Sequence, residues 1–231
     1  MRQGRSLRTS AARVTCVAGA RIASGPRVPK GLQRKSPLQE MRPASYDLAN
    51  AQLELAPLTA NVRGGKNASI TLNGKPLKFQ LKNCTTPFEC QGYGGGDRRS
   101  LDIRADNELQ AFATALDAKV LAEGAKLGLK ESGFKPLLKE SKSGTYAPTF
   151  RQKITISEET GRSGCKFFDE AKRRLPDAEV RDLSWRDLEF SCLSRISSLY
   201  VNGPNWGLLC TPEAIKCRQT AACPFADSED D

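Results

Sequence analysis

A tight-turn signal between two alternating runs constrains this chain more than any other feature. Ile70 and Leu72 alternate with polar neighbours, and Asn73-Gly74 supplies the two residues of positive φ that a short hairpin needs. Leu77, Phe79 and Leu81 continue the period of two, which leaves Lys78 and Lys82 on the opposite face. Beyond Gly92-Tyr93-Gly94-Gly95-Gly96, Leu101 and Ile103 open a third alternating run. Residues 67–104 therefore predict a curved antiparallel meander with one apolar face and one basic, aromatic-bearing face. A small β-barrel is the natural product.

The rest of the chain is placed from there. Leu53-Glu54-Leu55 can add an edge strand. Asp106 or Asn107 can cap a helix, because Leu109, Phe112, Ala113, Leu116, Val120 and Leu127 repeat at helical spacing before Gly124 and Gly128 close it. Asp117 and Lys119 are expected to lie off that stripe. Between Tyr146 and Ile156, Phe150, Gln152, Ile154 and Ile156 share one strand face, and Arg151 and Lys153 share the other. Cys165–Phe168 reads as a short strand, and Lys172–Arg174 as a solvated loop before a phosphate contact. Asn202-Gly203 marks a second hairpin, between Ile196–Val201 and Trp206–Leu209, with Leu199, Val201 and Leu209 filling core. Pro212 calls for an edge or a bulge.

Charge needs dissecting before it is used. The formal net charge is +10, but residues 1–39 hold nine Lys/Arg and no acid, leaving 27 basic against 26 acidic side chains elsewhere. The N-terminal composition fits a transit peptide, a basic arm that touches nucleic acid, or an overextended gene start. Four acids and no base occupy the last thirteen residues, so residues 40–218 stand near +5. The eight cysteines lack metal-ligand spacing and read as reduced, buried thiols, and there is no histidine. No metal, cofactor or nucleophile–base pair suggests itself, so no catalytic residue and no enzyme activity is expected. No apolar run approaches the roughly 20 residues of a membrane span. The chain divides into a basic, disordered leader (1–39), a linker (40–66), a folded domain (67–218) and an acidic tail (219–231).

The order of features resembles one family. An Asn-Gly hairpin leads into Thr86-Pro87-Phe88, then a strand, one long helix, the Tyr146-Ala147-Pro148-Thr149-Phe150 strand, a closing Asn-Gly hairpin with Trp206, and an acidic tail behind Phe225. This resembles the OB-fold single-stranded DNA-binding proteins of large eukaryotic DNA viruses, distantly related to those of short-tailed phages, over residues 65–231. Cys210-Thr211-Pro212 and the scarcity of Lys/Arg after residue 186 depart from the pattern at the last hairpin. The resemblance implies an OB-like antiparallel β-barrel, mainly β with one long helix (α+β). It implies sequence-independent binding of single strands in replication, recombination or repair, as a monomer or homodimer. It also implies that the tail meets replication partners and competes with DNA.

Binding a strand without reading it requires a cationic track for phosphates and exposed aromatic faces for bases. Lys75, Lys78, Lys82, Arg98, Arg99, Arg151 and Lys153 are the candidates for the track, on faces opposite apolar residues or at the mouth of the glycine loop. Phe88, Tyr93, Tyr146 and Trp206 are the candidates for stacking. Phe225, Asp227, Glu229, Asp230 and Asp231 are the candidates for partner binding. Competing expectations are an organellar RNA-binding OB protein and a non-catalytic structural subunit of an organellar complex. The expected location is a mitochondrion or other organelle if the leader is cleaved, otherwise the nucleus or a viral replication compartment.

Overall fold

Alternating apolar residues dominate the sequence, and strands dominate the fold. The computed structural model describes residues 42–62, 64–92, 96–141, 144, 146–186 and 188–219, all in the second of the chain's two units, Lys35–Asp231. In chain order these form β1 (Leu53–Leu55), β2 (Thr59–Ala60), β3 (Lys66–Ala68), β4 (Ile70–Leu72), β5 (Lys78–Cys84), β6 (Gln91–Gly92), β7 (Arg98–Arg104) and α1 (Asn107–Lys126). There follow β8 (Phe134–Lys135), β9 (Leu138–Lys139), β10 (Thr149–Thr155), β11 (Lys166–Phe168), α2 (Asp177–Arg181), β12 (Leu188–Asn202) and β13 (Asn205–Gln219).

The spine is the β12–β13 hairpin, 15 residues a side, turned by Gly203-Pro204 with Gly203 at φ 57. β3 and β5 pair along the free edge of β12, β2 adds to β3, and β8 and β11 run parallel to β13. A second sheet has the order β6-β7-β10-β9 and is antiparallel throughout. The two sheets face one another. Gln152 of β10 donates from Nε2 to Ser194 Oγ of β12 at 2.8 Å, and both residues are fully buried. Phe79 of β5 lies between Phe150 of β10 and Phe112 of α1, at ring separations of 6.0 and 5.0 Å. The fold is mainly β with one long helix, α+β and OB-like, although its sheets do not close into a hydrogen-bonded barrel.

Local chemistry sets the ends of α1. Asp106 accepts the Leu109 N–H at 2.8 Å as N-cap. At the other end Gly128, at φ 75, lets the Leu129 and Gly128 N–H groups reach back to the Gly124 and Ala125 carbonyls. Gly124 serves that stop only through its carbonyl. It lies inside the helix, where a Cβ would come within 2.4 Å of the Trp206 indole.

Several expectations change. The Asn73-Gly74 turn forms, with φ of 51 and 70, but it ends in a single bridge between Leu72 and Lys75. β4 pairs with β1 and β5 with β12, so residues 67–104 are not a meander of sequential neighbours. The stretch read as linker contributes Leu48, Ala51 and Leu53 to the core. At Pro212 the expected bulge forms, and the strand runs on through it. The register shift between Leu193 and Ser194 leaves Glu213 as the extra residue of a bulge beside it. Asp117 lies on the packed stripe of α1: its Oδ2 accepts the Leu137 N–H at 3.0 Å, and its buried Oδ1 has no partner.

Two outcomes follow from these contacts. In an open helix Gly→Ala stabilises by about 1 kcal/mol. Here Gly124→Ala drives a methyl into Trp206, and a loss on the order of 1–3 kcal/mol is expected in urea or thermal unfolding. Burial outweighs the Leu137 hydrogen bond at Asp117 and pushes its carboxyl up to about 7. The folded state therefore holds a proton that the unfolded state releases near pH 4, and stability declines as pH rises from about 4 to about 7. Asp117→Asn removes that decline. Its melting temperature should exceed the parent's at pH 8, with the gap narrowing toward pH 4.

Candidate nucleic-acid interface

The period of two divides β7 cleanly. Leu101 and Ile103 point into the core, while Arg98, Ser100, Asp102 and Arg104 point away from it. On β10 the outward residues are Thr149, Arg151 and Lys153. Register places Arg151 opposite Asp102, Lys153 opposite Ser100, and Thr149 opposite both Arg104 and Lys139. The outer face of this sheet thus collects Arg98, Arg104, Lys139, Arg151 and Lys153, with Asp102 among them.

That carboxylate organises the face. Arg151 donates from Nε and Nη2 to the two oxygens of Asp102, each at 2.7 Å, and Lys139 Nζ stands 3.9 Å away. Lys153 donates to Ser100 Oγ at 2.7 Å. Asp102 and Ser100 are themselves buried, so short polar groups anchor long cationic ones whose charge remains in excess.

Two exposed aromatic rings flank the same end of β7. Phe88 is 39% and Tyr146 59% exposed. The Thr85 carbonyl accepts the Arg104 N–H at 3.0 Å, and the Pro148 carbonyl accepts the Ala105 N–H at 3.1 Å. Both aromatic-bearing segments are therefore tied to the end of β7, one to its last residue and one to the residue after it. Thr86 fixes the Phe88 turn: its Oγ accepts the Phe88 N–H at 3.2 Å and its hydroxyl donates to the Phe88 carbonyl. Glu89 then holds the loop by accepting the Trp185 and Arg186 N–H groups at 3.0 and 3.2 Å.

Of the residues singled out from the sequence, Arg98, Arg151, Lys153, Phe88 and Tyr146 come together here. Arg99 does not. It shares the inward parity of Leu101, with its Nη2 3.9 Å from Glu158 and its Nε buried. Lys78 and Lys82 lie on the outer face of β5, in the other sheet, and Lys78 is paired with Glu213 at 2.8 Å. Lys75 is exposed in the turn after β4. Trp206 cannot stack on a base. It is 1% exposed, packs on Phe134 with ring centroids 4.8 Å apart, and donates from Nε1 to the Lys130 carbonyl at 2.7 Å. Tyr93 and the tail residues Phe225, Asp227, Glu229, Asp230 and Asp231 lie outside the described residues. Two cations were missed. Arg104 continues the alternation of Arg98, Ser100 and Asp102 and was legible; Lys139 sits in a two-residue strand that carries no sequence signal.

The six described cysteines are free and buried, and burial pushes the Cys90 and Cys217 thiols up to about 12. Among the described residues no group of three or more His, Cys, Asp or Glu is placed to hold a metal.

No protein-family model matches the chain, and no curated protein does. Among solved structures it is similar to the single-stranded DNA-binding protein from bacteriophage Enc34 in complex with ssDNA. Identity is 12% and TM-score 0.44, over 73% of this chain and 97% of that one. It is also similar to gp2.5, a single-stranded DNA-binding protein encoded by bacteriophage T7, at 13% identity and TM-score 0.37, over 67% and 97%. The structural neighbours are phage single-stranded DNA-binding proteins.

The Arg151–Asp102 pair can be tested by itself. Arg151→Ala leaves a buried carboxylate with only the distant Lys139, and should destabilise by about 1–3 kcal/mol. Adding Asp102→Asn should recover most of that loss in a thermal double-mutant cycle.

Proposed function

We propose that this protein binds single-stranded DNA without regard to sequence, as a monomer or homodimer and without catalysis. One observation carries the reading: five cations share an open sheet face with Asp102, and Phe88 and Tyr146 are exposed at its end. Long Lys and Arg side chains address phosphates, which every nucleotide has. An aromatic face accepts any base, at about 1–3 kcal/mol for each. In this reading Tyr93 adds a third ring from the glycine loop. The acidic tail, with Phe225 as anchor, recruits replication proteins and competes with the strand for the cationic face. Replication, recombination and repair are the processes such a protein serves. Kinship with the proteins of large eukaryotic DNA viruses rests on the order of motifs in the sequence, and an organellar location on the composition of residues 1–39.

Fluorescence anisotropy of the full chain with labelled oligo-dT, across a salt series, is the test. Sub-micromolar binding that weakens as salt rises is expected. Phe88→Ala and Tyr146→Ala should each weaken it by about 5- to 100-fold, with little change in melting temperature because both rings are exposed. Removing residues 219–231 should tighten it. Binding to oligo-U with equal or better affinity would favour an RNA partner instead. If neither the full chain nor the truncated one binds either oligomer at low salt, the reading is wrong.

A further inference from the structure

A second cationic groove lies on the outer face of the other sheet, where β5, β12, β13 and β11 run side by side. Between Phe190 and Cys192 of β12 the register on β5 steps from Cys84 to Leu81, so β5 carries one residue too many. That residue is Asn83, at φ 50, and the bulge leaves Lys82 fully outward between the buried Leu81 and Cys84. Ser191 faces the bulge, Lys216 pairs with Ser191, and Phe168 pairs with Lys216. The partners that flank this row, Phe167 with Ile215, and Cys192, are buried on the inner side. Lys82, Ser191, Lys216 and Phe168 therefore form one outward row across four strands, about 14 Å long at the usual strand spacing. Lys172, in the turn directly after β11, lines the same groove.

The charge of this groove is uncompensated. No Asp or Glu lines it among the described residues. Nearby carboxylates are engaged elsewhere: Glu213 with Lys78 at 2.8 Å and Arg195 at 3.8 Å, and Glu170 and Glu189 with Arg218 at 3.1 and 3.9 Å. Lys172 holds a left-handed backbone at φ 64, which a non-glycine residue adopts only against strain. The groove is also connected to the first face. A depression between β5 and the start of α1 is lined by Arg104, which belongs to the β7–β10 face, by Arg42 and Lys82, and by two carboxylates, Asp106, which caps α1, and Glu108. Gln80, Lys82 and Asn83 line both depressions.

We infer that a bound single strand leaves the β7–β10 face at Arg104, passes Lys82 at the bulge, and continues in this groove. Its phosphates meet Lys216 and Lys172 there, and a base lies on Phe168. This extension rests on the single-strand reading above. It assigns the protein two contiguous subsites, and it makes affinity depend on strand length.

Anisotropy of the full chain with a short oligo-dT of about 5 nucleotides and a long one of about 16 separates the subsites. Lys216→Glu and Phe168→Ala should each weaken the long oligomer about tenfold or more and leave the short one unchanged. Lys216→Ala should lower the salt slope for the long oligomer by about 1. Lys172→Gly relieves the backbone strain, so it should hold or raise the melting temperature while weakening the long oligomer, which a merely structural lysine would not do. If the short oligomer binds and the variants hold the long one as tightly as the parent, the extension is overturned and the first face stands. If the parent binds neither length, both readings fall. If the losses vanish in protein lacking residues 220–231, the groove serves the tail and not the strand, and the extension is overturned.

Discussion

One buried hydrogen bond, Gln152 Nε2 to Ser194 Oγ, fixes the geometry on which both faces depend. It joins β10 to β12 across the core, between two residues with no exposure to water. A strand has two faces and a period of two, so sliding β10 by one residue would turn Phe150, Gln152 and Ile154 outward and bury Arg151 and Lys153. Burial therefore opposes a slip of one residue by itself. A slip of two keeps the faces, but it would take Gln152 from its hydroxyl partner and leave a desolvated amide group unpaired. The register that packs the core is the same register that aims the cations, so stability and the cationic face are one property of β10.

What was legible in the sequence, and what was not, follows from the range of the forces involved. Alternation on β5, β7 and β10, the Asp106 cap, the Gly128 stop and a turn at Gly203 are local, and the sequence displays them directly, although the turn residues are Gly203-Pro204 and Asn202 ends β12. Partnership is not local. Nothing near Lys78–Cys84 announces that it pairs with Leu188–Asn202 rather than with the strand before Asn73-Gly74. Trp206 misled for the same reason: beside a turn it looks exposed, but α1 offers a glycine at position 124 where the indole fits, more than eighty residues earlier in the chain. Adjacent arginines at 98 and 99 look equivalent as a charge run. On a strand they face opposite ways, and only Arg98 reaches the outer face.

Net charge describes this surface poorly, because what matters is which cations are already neutralised. Lys78 and Lys82 lie four residues apart on the same face of β5. The bulge at Glu213 brings a carboxylate to Lys78 and Arg195. The bulge at Asn83 projects Lys82 where no carboxylate lines the groove. Two irregularities of pairing thus sort neighbouring lysines into a structural one and one available to a ligand. A regular sheet would have left them alike.

Neither cationic face is built to recognise a base. Discrimination among bases needs fixed donors and acceptors at base edges, held by their own partners so that a wrong base leaves them unsatisfied. Here the rigid groups, Asp102 and Ser100, are buried and spent on positioning Arg151 and Lys153. The exposed groups are long cations and aromatic rings, which offer charge and surface but no edge pattern. An arrangement that places its precision beneath the surface and its flexibility upon it suits the sequence-independent binding proposed above.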